Sequence, residues 1–146
     1  MIDQEKLSEL VCEALERTAM VFAEPMEEDA PDGVSRFARI IYEGEESGEM
    51  ILAASDGFTL ELASSMLGEE ENAISADNEG ALALAELANI VCGSVVVAIG
   101  GEQRAITLGL PEVADPSSVE GDGVRCVVES MGEPLVVTWR PSRTAA

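Results

Sequence analysis

Residues 81–101 read ALALAELANIVCGSVVVAIGG, with only Glu86, Asn89 and Ser94 polar before the closing glycines. At about 100° per residue, Leu84, Leu87, Ala88, Val91, Val95 and Ala98 fall on one side of a helix. That is the i, i+3, i+4, i+7 stripe of a buried face. Glu86 and Asn89 fall on the opposite side, one turn apart, and Gly93 continues their line. Leu82, Val96 and Val97 flank it. A carboxylate and an amide rimmed by apolar side chains could form a docking surface. Alternatively, the helix is buried between layers, and Glu86 and Asn89 make ordinary structural hydrogen bonds.

Outward from this helix the chain is punctuated clearly. Asp77 opens it, after an acidic turn at Glu69 to Asn72. Before that turn, Ser55 and Asp56 are N-cap candidates for a short helix, Phe58 to Leu67, stopped by Gly68. Beyond it, Ala105 to Leu110 reads as a strand ended by Pro111, and Glu112 to Gly123 as a polar loop. Val124 to Ser130 and Leu135 to Arg140 form a hairpin across Met131 to Pro134, with Leu135, Val137 and Trp139 on one face. At the other end, Asp3 caps a first helix with a stripe of Leu7, Leu10, Val11, Ala14, Leu15, Thr18 and Phe22, ending by Glu24 because Pro25 follows. A charged turn, Glu27 to Gly33, leads to strands at Val34 to Tyr42 and Glu49 to Ala54. The loop Gly44 to Gly48 is too short for a crossover, so these two form a meander. The order α, β, β, α, α, β, β, β predicts one α+β domain over residues 1–146: two layers, an antiparallel-rich β-sheet with long α-helices packed on one face.

Composition excludes several functions. A net charge of −21, with eight cations against 29 acids, is wrong for nucleic acid or for an anionic membrane surface. Partners should be proteins or small molecules. There is no histidine, which removes the commonest general base and the commonest transition-metal ligand. Cys12, Cys92 and Cys126 are odd in number, far apart and set in apolar patterns; they read as buried thiols of a reducing cytosol. The N-terminus is acidic and unlike a signal peptide. The longest apolar run, Ile90 to Ile99, is too short to span a bilayer, so no membrane insertion is expected.

Glu86-x-x-Asn89, the small Gly93 one turn on, and Pro111 after the next strand together resemble the signature of the CheC/CheX/FliY family of chemotaxis phosphatases. The helix before and the opening helix-then-hairpin order match as well, so the resemblance covers most of the chain. A single copy of the motif is more similar to CheX than to CheC, which carries two. Leu82 stands where CheC-type motifs often have Asp or Ser.

The resemblance implies hydrolysis of the aspartyl phosphate of a CheY-type response regulator in the cytoplasm. Asn89 would orient the attacking water and Glu86 would contact the receiver's lysine. Leu82, Val96 and Val97 would supply apolar contact, Gly93 would permit close approach, and Pro111 would complete the partner-facing surface. No cofactor of the chain's own is implied, since Mg²⁺ comes with the receiver. Homodimers paired through strand edges, from AITLGL or LVVTWR, are implied too. The fold is shared with flagellar-switch scaffolds, so a module that binds a receiver without hydrolysing it is the alternative.

Overall fold

The computed structural model describes residues 2–27, 31–100, 106–114 and 123–142. Asp3 accepts from the Lys6 amide at 2.8 Å and so caps α1, Gln4–Ala19. Leu7, Val11, Ala14, Leu15 and Ala19 are its buried face. The helix stops earlier than Pro25 requires. Met20 turns left-handed at φ 53°, and the Met20 and Val21 amides fold back onto Glu16 and Leu15 carbonyls, both at 3.1 Å. Phe22 therefore leaves the helical stripe and is 66% exposed. A strand of two residues follows, β1, Glu24–Pro25, too short and too proline-bearing to carry a sequence signal.

β2, Val34–Gly44, and β3, Gly48–Ser55, form the expected hairpin, with a register shift between Val34 and Arg36. Ser55 caps α2, Asp56–Leu67, by accepting from the Phe58 amide, and Gly68 ends it at φ 71°. One π turn, Ala76–Gly80, leads straight into α3, Ala81–Ala98, which ends just before Gly100 at φ 100°. β4, Ile106–Leu108, is shorter than the expected strand, and Ala105 lies outside the described residues. Part of the expected polar loop is ordered as β5, Glu112–Val113, on β2; residues 115–122 lie outside the described residues. β6, Val124–Ser130, and β7, Glu133–Pro141, are joined by Met131 and Gly132 alone, so Glu133 and Pro134 belong to the strand, not to the turn.

All described pairings are antiparallel, in the order β1-β6-β7-β3-β2-β4, with β5 beside β2. This is the expected α+β architecture. The period-2 alternation sends Ala38, Ile40, Tyr42, Met50, Leu52, Cys126, Val128, Leu135, Val137 and Trp139 into one core with the helices. Within it the Trp139 indole donates to the Tyr42 hydroxyl at 2.8 Å, across intervening β3. A smaller cluster of Ala53, Val127 and Val136 occupies the opposite face. β7 lies between β6 and β3, so LVVTWR presents no free edge; β4 pairs on one side only, with β2.

The bilayer expectation needs correction. As folded, Ala76–Ala98 is a continuous helix of 23 residues, long and apolar enough by length and composition to cross a membrane. The ten-residue run counted in the sequence undercounts it, because alanine and isolated polar residues do not interrupt the helix. Here one broad face of that helix is core.

Candidate functional site

α3 is apolar enough to be buried on most of its circumference. Ala83, Leu84, Leu87, Ala88, Val91, Cys92, Val95 and Val96 are buried. What remains outside is a narrow stripe: Leu82 is 72% exposed, Glu86 is exposed, Asn89 and Gly93 are partly buried, and Val97 is 52% exposed. Among the described residues neither Glu86 nor Asn89 has a hydrogen-bond or ion-pair partner. Both groups face outward on one turn of a rigid helix, available to something else.

Two expectations on this helix change. Val96 is 7% exposed and belongs to the core, one turn after the fully buried Cys92. It cannot be an exposed contact. Ala98, expected inside, is exposed at the helix end. The core wraps further round α3 toward its C-terminal half, where Ile106 and Leu108 of β4 pack against the core. A Cβ added at Gly93 would meet Leu108 Cδ1 at 3.9 Å, an ordinary contact, so the fold does not demand glycine there.

Several contacts fix where α3 begins. Arg36 of β2 donates to Asp56 at 2.7 Å and to Asp77 at 2.5 Å, tying the sheet to the start of α2 and to the π turn. The Asp56 carboxyl is held below its usual range by Arg36 first and then by the Ser35 hydroxyl, which donates at 2.9 Å. A Cβ at Gly80 would lie 2.9 Å from the Thr59 hydroxyl, so only glycine lets α3 start this close to α2. The Ser75 hydroxyl accepts from the Asp77 amide, and Glu79 accepts from the Ser75 amide at 2.8 Å, which holds the Glu79 carboxyl low. These partners are up to 41 residues apart, and nothing local in the sequence announces them.

Pro111 is partly buried between β4 and β5. Its neighbour Leu110 is 90% exposed. The sequence reads Ala105 to Leu110 as one strand, but the pairing ends at Leu108, Gly109 bonds back to Ile41 at 2.7 Å, and Leu110 lies beyond it. Cys92 and Cys126 are buried, and burial pushes both thiols up to about 12. Cys12 is partly buried and also raised by burial. None has the thiolate character of a nucleophile. Among the described residues no three His, Cys, Asp or Glu side chains converge as a metal site.

Comparison with known proteins places this geometry. The fold is similar to the chemotaxis protein CheX from Vibrio vulnificus, at TM-score 0.74 and 17% identity over 94% of this chain and 95% of that one. It is similar to CheX in a CheX–CheY–BeF₃–Mg²⁺ complex from Borrelia burgdorferi, at TM-score 0.71 and 16% identity over 98% and 100%. FliY from Thermotoga maritima is more distant, at TM-score 0.54 and 14% identity over 92% and 87%. No curated protein of similar sequence was found. The model of the family described as chemotaxis phosphatase CheX matches residues 36–130, from the first long strand through the paired Glu86 and Asn89 to the end of β6. The chain belongs to the CheX family of chemotaxis phosphatases.

Proposed function

We propose that this chain removes the phosphoryl group from the aspartate of a CheY-type receiver, with Asn89 positioning the water and Glu86 holding the receiver. The observation that carries this reading is the outward placement of Glu86 and Asn89 on one turn of α3, without intramolecular partners among the described residues. Family membership supports it, as does the fold shared with a CheX captured with CheY, BeF₃ and Mg²⁺.

An aspartyl phosphate is an acyl phosphate and already has a good leaving group. What limits its hydrolysis is bringing a water into line with phosphorus, an orientational problem. A primary amide suits it, since it can donate to and accept from the same water. The water oxygen bonds to phosphorus, the bond to the aspartate oxygen breaks, and inorganic phosphate leaves a regenerated carboxylate. Mg²⁺ belongs to the receiver and neutralises charge on the phosphoryl oxygens. Glu86 complements a cation such as the receiver's lysine. Leu82 and Val97 flank the pair with exposed apolar surface, and Leu110 and Pro111 follow β4, the strand that approaches Gly93. The chain is read as cytoplasmic and as a homodimer through the free edge at β4.

Binding of a BeF₃-activated receiver with Mg²⁺ separates the two roles. Glu86→Ala is expected to weaken it about tenfold, Asn89→Ala much less. Equal binding by both variants and the parent chain contradicts the assignment. A second reading, a module that binds without hydrolysing, is favoured by Leu82 in the position where CheC-type motifs often carry Asp or Ser. Saturable binding without faster dephosphorylation would select it.

A further inference from the structure

Two residues other than glycine have positive φ among the described residues, and both are methionines: Met20 at 53° and Met131 at 52°. Met20 closes α1, a position where glycine or asparagine is favoured. Met131 and Gly132, at φ 82°, form the two-residue β6–β7 turn, whose first position favours asparagine or aspartate. Local backbone preference is thus violated twice, each time by a long apolar side chain. Those side chains are not packed: Met20 is 75% exposed and Met131 90%.

The β1–β6 register relates the segment after Met20 to the turn at Met131. β1 pairs with β6 so that Glu24 lies opposite Glu129. Carried two residues further, this register sets exposed Phe22 level with Met131, and Met20 is two residues from Phe22. In the other direction, partly buried Met26 bonds Val127 and packs on the small cluster of Ala53, Val127 and Val136. An apolar pair, an acidic pair and an apolar pair therefore follow one another along the sheet edge. Like charges directly opposite on a ladder oppose folding, and among the described residues neither Glu24 nor Glu129 is neutralised by a cation. On α1, β1 and β6 the cations are Lys6, Arg17 and Arg125, against Glu5, Glu9, Glu13, Glu16, Glu24 and Glu129.

We propose that Met20, Phe22 and Met131, around the Glu24–Glu129 pair, dock a basic amphipathic segment of a partner protein. Its apolar side chains seat on the methionines and the phenylalanine, and a lysine or arginine lies between the two carboxylates. Adaptable methionine beside an acidic rim is the chemistry that accepts such segments. A second copy pairing through this same corner is a poor occupant, because it would set the same two carboxylates against these. The corner sits at the β1 edge, while α3's outward stripe lies by β4 at the other end of the sheet, so both can be occupied at once.

The test uses a synthetic amphipathic peptide of alternating leucine and lysine faces, titrated into the isotope-labelled chain. Backbone shift changes are expected at residues 20–24 and 129–132. Met131→Asn should weaken binding by about tenfold while raising Tm by about 3 °C, because asparagine suits the turn. Glu24→Gln with Glu129→Gln should weaken binding and flatten its salt dependence. Receiver dephosphorylation should be unchanged in both variants. Undiminished binding by Met131→Asn, shifts spread over the acidic surface at large, no binding, or self-association through this corner would each overturn the proposal.

Discussion

Asn89 and Glu86 sit three residues apart on a helix whose other faces are committed to the core, and their proposed roles separate in kinetics. Asn89→Ala should lower turnover by about 10²-fold or more with little change in receiver affinity, since the water contact is made mainly in the transition state. Glu86→Ala should lower affinity and rate together. Single-turnover decay of a phosphorylated receiver over a range of enzyme concentrations distinguishes the two. The cysteines provide an independent check. With thiols raised to about 12 and buried, Cys92 and Cys126 should resist alkylation in the folded chain, leaving partly buried Cys12 as the first site labelled at pH 8. Mass spectrometry after brief iodoacetamide treatment reads this directly; prompt labelling at Cys92 would contradict the packing of α3. At this scale much was legible, because a polar pair in an apolar run stands out. Val96 was misplaced because a 100° wheel assumes a core on one side, and β4 adds a second wall.

Helix α3 carries the outward stripe, and the sheet anchors it through Arg36. Gly93 is placed where alanine would meet only Leu108 at an ordinary distance. Gly93→Ala should therefore stabilise the helix by about 0.5–1 kcal/mol, and lower dephosphorylation if Gly93 is where the receiver approaches. Thermal melts and turnover on the same preparation check both halves. Asp56 supplies a pH signature. Its folded pKa lies below the ordinary 3.8, so its stabilisation is present above that value and lost as pH falls through the folded one. Asp56→Asn should cost stability at pH 7, with the gap to the parent closing below about pH 4. The pair is about half exposed on the Asp56 side, so the cost should stay within roughly 1 kcal/mol. Element boundaries were readable wherever a cap or glycine marked them, as at Asp3, Ser55 and Gly68. They were not readable at β1 and β5, two-residue strands held only by partners far along the chain.

At the scale of the molecule, the fold combines an almost entirely aliphatic core with a surface carrying −21. Self-repulsion of that surface opposes compaction, so screening should help. Raising NaCl from about 20 to 500 mM at pH 7 should raise Tm; a fall would mean that attractive pairs such as Arg36–Asp77 outweigh the repulsion. The two-layer class followed from alternating strands and three amphipathic or apolar helices, which leave few other ways to bury both. Strand order did not follow. The sheet seats β7 between β6 and β3, and it is this order that buries LVVTWR and leaves β4 at an edge beside the outward stripe of α3.

Release of inorganic phosphate from a phosphorylated CheY-type receiver, with Mg²⁺ and with either the parent chain or Asn89→Ala, tests the central reading most directly. Faster release with the parent, lost in the variant while receiver binding persists, is the expected result. Equal release by both chains, or none beyond the receiver's own rate, would contradict it.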